Sequence, residues 1–174
     1  GMKGKEKILN EQLKQIQQYL TDHQEEMFRD YARLINCESH SSDVPGVYAA
    51  AEIVKELYEE AGFQCEILDM PPNGPTTIGI LGKDRALEPV LISGHVDTVI
   101  KPGAYEKPVF RTEGNLAYGP GVLDMKGGII IGLYAVKALN AIGYQERPIK
   151  FAFSGDEEIG HLHSQGAETL TNAA

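Results

Sequence analysis

The chain has 174 residues, which is enough for one substantial domain and short for two. A domain of this length buries about 70% of the surface that its unfolded chain exposes, so it needs neither a disulfide nor a metal ion merely to fold. The net charge of −9 argues against a nucleic-acid backbone as partner, and no apolar run approaches the ~18 residues that would span a membrane.

The first third of the chain predicts three helices. Apolar residues recur every three to four positions over residues 9–20 and again over residues 27–35. Thr21-Asp22-His23-Gln24 resembles a capping box at the start of the second helix. After a polar loop, a third helix is predicted from about Pro45, which suits a first-turn position, to Gly62, which suits a C-terminal cap. The charged N-terminal residues have no apolar core behind them and do not match a signal peptide.

After Gly62 the apolar residues follow the period of strands rather than that of helices. Short β-branched segments bounded by Pro, Gly and Asp predict four strands, at residues 63–68, 76–81, 90–93 and 149–153. Between the third and the fourth, residues 109–111 and 116–118 predict a small hairpin, and a strong amphipathic helix follows Asp124. A weaker helix is predicted over residues 164–170.

Helices that alternate with continuous apolar strands predict the α/β fold class, in a layered α/β/α arrangement around a mostly parallel or mixed sheet. The sequence contains no internal repeat, low-complexity tract or inter-domain linker, so a single domain is expected. Cys37 and Cys65 are isolated and lie in unlike settings, which favours free thiols and therefore a cytoplasmic protein. A disulfide or a nucleophilic role is the alternative for these two residues.

His95 and Asp97 follow the apolar segment at residues 90–93 and are the first candidate metal residues. Alternate residues of an extended chain point the same way, so both side chains can face one cleft. Neutral imidazole is a good zinc ligand, and a carboxylate two residues away can orient the ring. The alternative is a polar strand end that carries a His and an Asp without any ion.

Asp124 is the second candidate. A helix N-terminus stabilises an exposed carboxylate by about 0.3–1 kcal/mol, so a simple N-cap is one interpretation. Four glycines surround it, namely Gly119, Gly121, Gly127 and Gly128. They indicate instead that the backbone passes close to a ligand, although the segment lacks a Walker-type phosphate pattern. Lys126 and Arg111 are possible binders of a substrate carboxylate, with a solvated residue of the helix start as the alternative for Lys126.

Asp156, Glu157 and Glu158 form the third candidate segment, directly after the predicted strand at residues 149–153. Three adjacent acids repel one another, and burying them unpaired is costly. A divalent cation would resolve the repulsion, with one carboxylate binding it and its neighbour accepting a proton from water. The alternative is a solvated acidic turn. Because all three segments follow or precede predicted elements, they are expected to meet at one edge of the sheet.

These residues resemble three motifs of the M20 family of zinc peptidases and related amidohydrolases. Gly94-His95-Val96-Asp97-Thr98-Val99 is similar to the first motif, residues 119–128 to the second, and Asp156-Glu157-Glu158-Ile159-Gly160 to the third. Their order and spacing also fit, so the resemblance covers the chain from about residue 25 to residue 160. The Gly-Pro-Gly form of the second motif is most similar to the glutamate-carboxypeptidase-like members.

The resemblance implies a role for each of five residues. His95 would bind one zinc ion, Asp124 would bridge two, and Glu158 would bind the second. Glu157 would act as general base, and Asp97 would hold His95. The implied chemistry is hydrolysis of a peptide or amide bond near a free carboxylate, as in dipeptidases, carboxypeptidases and N-acyl-amino-acid deacylases. Cobalt or manganese is chemically reasonable in place of zinc.

The chain departs from the family in length. Members continue into a lid or dimerisation domain and then complete the catalytic domain with a further carboxylate ligand and a last His. Residues 1–174 are therefore expected to form a single partial catalytic domain, weakly active or inactive by itself. His161 and His163 are possible substitute ligands, with polar residues at a helix start as the other interpretation.

Two further hypotheses accompany that of a metal-dependent hydrolase. The chain could be a non-catalytic remnant that acts as a dimeric or partner-binding protein, or one half of a split enzyme that another chain completes. Missing later strands would expose a sheet edge, so a homo-oligomer or a complementary chain is expected. The expected substrate is a small peptide or an N-acyl amino acid, and neither nucleic acid nor a membrane is expected as partner.

Overall fold

A computed structural model describes residues 1–159 of the chain. Within that range the helices are α1, Met2–Asp22; α2, Gln24–Asn36; α3, Val44–Glu60; and α4, Lys126–Ala141. The strands are β1, Gln64–Met70; β2, Asn73–Leu81; β3, Val90–His95; β4, Arg111–Glu113; β5, Leu116–Tyr118; and β6, Ile149–Gly155. A 3-10 turn, Glu157–Ile159, follows β6. The helix predicted over residues 164–170, together with His161 and His163, lies outside the described residues.

The first helices begin and end for different local reasons. Only His23 separates α1 from α2. The expected capping box is wrong, because the Thr21 hydroxyl donates back to the Gln17 carbonyl at 3.0 Å and no side chain caps α2. The helix α3 does have such a cap, since Asp43 accepts the Gly46 N–H at 3.2 Å. Among residues 1–159, none of the helices combines the length and the apolar character needed to cross a membrane.

The central sheet has the strand order β1-β2-β6-β3 and is mixed. β1 pairs with β2, and β2 with β6, in antiparallel orientation, whereas β3 runs parallel to β6. The predicted α/β class with a mixed sheet is therefore confirmed. The predicted hairpin forms as a separate two-stranded sheet of β4 and β5.

The core lies between the sheet and the helices α3 and α4, with α1 and α2 packed outside α4. The Tyr58 ring of α3 lies with its centroid 4.4 Å from that of Phe151 and 5.6 Å from that of Phe153. The Tyr58 hydroxyl donates to the Ile129 carbonyl at 2.7 Å and so joins α3 to α4. Gly79 leaves room for the aromatic cluster, because a Cβ there would lie 2.3 Å from Phe151 Cε1. Burial of this apolar surface, at about 25 cal/mol per Å², is the main stabilising contribution.

The parallel pair of β3 and β6 positions the three candidate segments. His95, the last residue of β3, pairs with Ser154 of β6, so the residues that follow both strands leave the sheet side by side. Asp124 lies two positions before the first residue of α4 and comes to the same edge of the sheet. The expectation that the segments converge where parallel strands end is thereby met.

Candidate metal centre

His95 is the residue on which the three segments converge. Its side chain is buried, and Nδ1 lies 3.0 Å from the carbonyl oxygen of Asp97 and 3.2 Å from its carboxylate Oδ1. On the other side of the ring, Nε2 lies 3.1 Å from Asp124 Oδ1, 3.6 Å from Glu157 Oε2 and 3.9 Å from Glu158 Oε1. Because Asp97 occupies Nδ1, Nε2 is the nitrogen that faces the other three carboxylates, as in many metal-binding imidazoles.

Asp97 links the first segment to the third. Its buried carboxylate accepts hydrogen bonds from the backbone N–H of Glu157 at 3.2 Å, from that of Glu158 at 3.1 Å and from the Ser41 hydroxyl at 2.5 Å. Burial raises the pKa of Asp97, but the hydrogen bonds from His95 and Ser41 outweigh burial and lower that pKa below its usual value. Asp97 is therefore an anion that fixes both the imidazole and the turn that carries the glutamates.

Asp124 reaches the centre from the loop before α4. Its side chain is 72% exposed. The N-cap interpretation is wrong, because Met125 occupies the N-cap position and no side-chain hydrogen bond caps α4. The sulfur of Met125 instead accepts the His95 N–H at 3.3 Å, which joins the second segment to the first. The Asp124 carboxylate consequently faces the imidazole rather than the end of the helix.

Glu157 and Glu158 lie in the 3-10 turn and differ in exposure. The Glu157 side chain is 48% exposed, whereas that of Glu158 is 19% exposed. Burial, followed by the charge of Glu157, raises the pKa of Glu158. The preceding Asp156 is buried. A fully solvated acidic turn does not describe this segment, because only one of its three carboxylates is well exposed.

The electrostatics of this group fit a divalent cation. Burial lowers the pKa of His95, but the hydrogen bonds and charge of Asp97 outweigh burial and raise that pKa to about 9. Four carboxylates thus lie around a single imidazole. One ligand atom from each of His95, Asp124 and Glu158 lies within 4.8 Å of the others. An imidazole nitrogen with carboxylate oxygens is a donor set that binds divalent transition metals, so these residues suit a divalent metal ion.

Lys126 does not have the role expected of it. The side chain is 0% exposed, and Nζ donates to the backbone carbonyls of Leu34 at 3.1 Å and Cys37 at 2.7 Å. Burial lowers the pKa of Lys126 to about 8. Both earlier interpretations, a solvated residue and a binder of substrate carboxylate, are therefore wrong for Lys126. Arg111 forms an ion pair with Glu113 inside the hairpin.

Two residues that contact these segments, Ser41 and Tyr31, were not predicted from the sequence. Ser41 lies in a polar loop after α2, and its hydroxyl reaches Asp97 across 56 positions of sequence. Tyr31 lies on α2, and its hydroxyl donates to the Val122 carbonyl at 2.8 Å across 91 positions. No spacing rule connects residues so far apart, and the apolar period of α2 indicates only that Tyr31 faces inward.

Residues 91–174 match the model of a family described as Peptidase family M20/M25/M40. The chain is 32% identical over 153 residues to carboxypeptidase G2 of Pseudomonas sp. (strain RS-16), a match that covers 85% of this chain and 36% of that protein. It is 32% identical over 134 residues to succinyl-diaminopimelate desuccinylase of Ehrlichia ruminantium (strain Gardel), over 71% of this chain and 34% of the relative. The chain thus spans about a third of the length of these curated relatives.

Solved structures share the fold. The di-peptidase Dug1p from Saccharomyces cerevisiae superposes with a TM-score of 0.76 at 23% identity, over 87% of this chain and 36% of that chain. Human carnosine dipeptidase 1 superposes with a TM-score of 0.74 at 23% identity, again over 87% of this chain and 36% of that chain. At these identities the likeness concerns the fold alone.

Proposed function

Because the chain belongs to peptidase family M20/M25/M40, we propose that it carries one side of the catalytic centre of a metal-dependent hydrolase of peptide or amide bonds. The observation that carries this proposal is the approach of Asp124, Glu157 and Glu158 to a single nitrogen of His95. The chain spans 36% of its carboxypeptidase relative, so residues 1–174 are proposed to form one partial catalytic domain.

His95, Asp124 and Glu158 are the proposed metal ligands, with Asp124 shared between the ions of a two-ion site. The convergence of their donor atoms within 4.8 Å supports this assignment. Zinc is the proposed metal, because imidazole and carboxylate ligands at tetrahedral sites suit it, while cobalt and manganese are chemically reasonable. When bound, such a metal polarises the scissile carbonyl and makes water a nucleophile at neutral pH.

Glu157 is the proposed general base. Its carboxylate is more exposed than that of Glu158 and lies beside the proposed ligand His95, so water can reach it. From this place Glu157 can accept a proton from the attacking water and return it to the leaving amine. Asp97 would contribute by holding the imidazole of His95 and the turn that carries the base.

The substrate and partners are proposed from the relatives and from the fold. The names of the relatives, a carboxypeptidase and a desuccinylase, support a small peptide or an N-acyl amino acid as substrate. Within the described sheet β3 has a neighbour on one side only, which supports a second copy or a complementary chain as partner. The free cysteines, Cys37 and Cys65, support a cytoplasmic location.

A second candidate function is binding without turnover. In its favour, residues 1–159 bring together a single group of three metal-ligand residues. A catalytic zinc ion normally has three protein ligands and one open position, so two ions sharing this group would each lack ligands. The chain would then be a non-catalytic remnant that binds a partner, or one half of an enzyme that another polypeptide completes.

The test separates metal binding from turnover. Zinc is titrated into the metal-stripped chain by calorimetry, and Asp124→Ala is expected to abolish its uptake. Zinc-dependent hydrolysis of dipeptides and N-acyl amino acids is expected to be lost in Glu157→Gln while zinc binding persists. Zinc binding without hydrolysis in the unmodified chain would favour the second candidate, and a chain that takes up no zinc would contradict the metal centre.

A further inference from the structure

Lys126 is a buried cation that the proposed chemistry does not use. It is the first residue of α4 and follows Asp124 by two positions. Its side chain has 0% exposure. Removing an ammonium group from water is costly unless hydrogen-bond acceptors replace its hydration. The contacts that replace that hydration therefore indicate what the side chain does.

The ammonium group of Lys126 contacts the C-terminal end of α2. Nζ donates to the Leu34 carbonyl at 3.1 Å and to the Cys37 carbonyl at 2.7 Å. The last carbonyls of a helix have no donors within the helix, and the helix C-terminus carries a partial negative charge. The Leu34 carbonyl also accepts the Cys37 N–H at 3.3 Å, and Lys126 adds a second donor there, a donor to the Cys37 carbonyl and a positive charge. Lys126 thus joins the start of α4 to the end of α2.

The aliphatic part of the same side chain supports the loop that carries Asp124. Gly121, with a φ of 78°, packs on this part, because a Cβ at Gly121 would lie 3.1 Å from both Cγ and Cδ of Lys126. The Gly127 N–H donates to the Gly121 carbonyl at 3.3 Å and folds the loop back on the start of the helix. The loop is thus packed around the Lys126 side chain.

A second contact from α2 reaches the same loop. The Tyr31 hydroxyl donates to the Val122 carbonyl at 2.8 Å. Tyr31 lies three positions before Leu34, so both contacts come from the C-terminal part of α2. They hold the loop on both sides of Asp124, through Val122 before it and Lys126 after it. The Asp124 carboxylate itself is 72% exposed and bonds to His95.

We propose that Lys126 is a positioning residue, which anchors residues 119–126 to the C-terminal end of α2 and thereby fixes the Asp124 carboxylate opposite His95. It acts through the loop and touches neither substrate nor metal. The inference rests on the proposed function only for the role of Asp124 as a metal ligand. The anchoring is a property of the chain without any metal.

Hydrogen exchange followed by mass spectrometry tests the anchor in the metal-free chain. Lys126→Met removes the ammonium group and keeps an apolar side chain. The matched control is Lys137→Met, because Lys137 also joins α4 to α2, through Glu26 at 3.2 Å, and lies about 16 Å further along the helix. Amides of residues 119–125 should exchange about tenfold faster in Lys126→Met, with β6 unchanged, whereas Lys137→Met should match the unmodified chain there.

Two results would overturn the anchor. One is unchanged exchange at residues 119–125 in Lys126→Met, and the other is equal acceleration at these residues in both lysine variants. If Lys126→Met does not fold, Tyr31→Phe removes the second contact with the loss of one hydroxyl. Tyr31→Phe should then accelerate amide exchange at residues 119–125 alone, and by less than is expected of Lys126→Met. Unchanged exchange in Tyr31→Phe would also overturn the anchor.

Zinc titration by calorimetry gives the second readout. Groups that orient a metal ligand typically contribute about 10- to 100-fold to metal affinity, and a loss of that size is expected for Lys126→Met, with Lys137→Met within about twofold of the unmodified chain. Faster loop exchange with unchanged zinc affinity would overturn the positioning role. If the unmodified chain takes up no zinc, the proposed function fails, and the exchange comparison still decides whether Lys126 anchors the loop.

Discussion

The hydroxyl of Ser41 donates a hydrogen bond of 2.5 Å to the carboxylate of Asp97, although the two residues are 56 positions apart. Asp97 also accepts the N–H groups of Glu157 and Glu158 and lies 3.2 Å from Nδ1 of His95. The loop between α2 and α3 therefore contacts the one carboxylate that connects the first and third candidate segments. Ser41 is the residue of that loop whose loss should disturb the centre.

Ser41→Ala is expected to destabilise the chain and to weaken metal binding. A hydrogen bond to a buried charged group contributes about 1.5–3 kcal/mol, and the free energy of unfolding in urea at pH 7 should fall by that amount. Zinc affinity, measured by calorimetry, should fall about tenfold because Asp97 holds the imidazole less firmly. Ser42→Ala is the control, since Ser42 bonds to His40 at the surface. Equal stability of the two variants would contradict the role assigned to Ser41.

Tyr58→Phe is expected to weaken the contact between α3 and α4. The buried Tyr58 hydroxyl donates to the Ile129 carbonyl at 2.7 Å, and its removal should lower the free energy of unfolding by about 1 kcal/mol. Tyr48→Phe is the matched control, because the Tyr48 hydroxyl bonds to Asp69 at the surface and should contribute less than about 0.5 kcal/mol. Urea unfolding curves of both variants measure the difference. If Tyr48→Phe lowered the free energy of unfolding more than Tyr58→Phe, that would contradict the described contact between α3 and α4.

Cys65 is expected to react slowly with alkylating reagents in the folded chain. Burial, followed by the charge of Glu59, raises the pKa of the Cys65 thiol to about 12. Since the thiolate is the reactive form, iodoacetamide at pH 8 should modify Cys65 about 100-fold more slowly in the folded chain than in urea. Mass-spectrometric peptide mapping measures the two rates separately from those of Cys37. Equal rates in the two states would contradict the raised pKa of this half-buried thiol.

The raised pKa of Cys65 also makes the free energy of unfolding depend on pH. The pKa of the Cys65 thiol is higher in the folded chain than in the unfolded one. The folded chain therefore keeps the thiol protonated up to a higher pH. The protonated Cys65 thiol makes its full contribution to the free energy of unfolding below about pH 9, and this contribution is lost as the pH rises towards about 12. Cys65→Ala should show a smaller fall in stability between pH 8 and 10 than the unmodified chain, in parallel urea titrations.

The open edge of β3 is expected to support self-association. Within the described sheet, β3 pairs with β6 on one side only, and Val90 on this strand is exposed. Light scattering at micromolar concentration should give a mass above that of the monomer, and Val90→Lys should reduce it, because a charge at an edge opposes strand pairing. Leu87→Lys, which changes an exposed residue before the strand, is the control. A strictly monomeric mass for the unmodified chain would contradict the proposal.

Much of the fold followed from local patterns. Periods of apolar residues predicted the helices α1 to α4 and the strands of the mixed sheet, because burial of one face requires that spacing. The convergence of His95, Asp124 and Glu158 was also predictable, since all three lie at the ends of predicted elements that meet at one sheet edge. Their roles as metal ligands stay a prediction that zinc titration tests.

Only the tertiary structure decided how these residues are held. Thr21 was expected to cap α2 and bonds back to α1 instead. Lys126 was expected either to bind a substrate carboxylate or to be solvated, and it is buried. Ser41 and Lys126 have partners far away in sequence, and Lys126 bonds to backbone carbonyls, which every residue carries. A sequence therefore specifies the donors, whereas the acceptors that they meet depend on how distant elements pack.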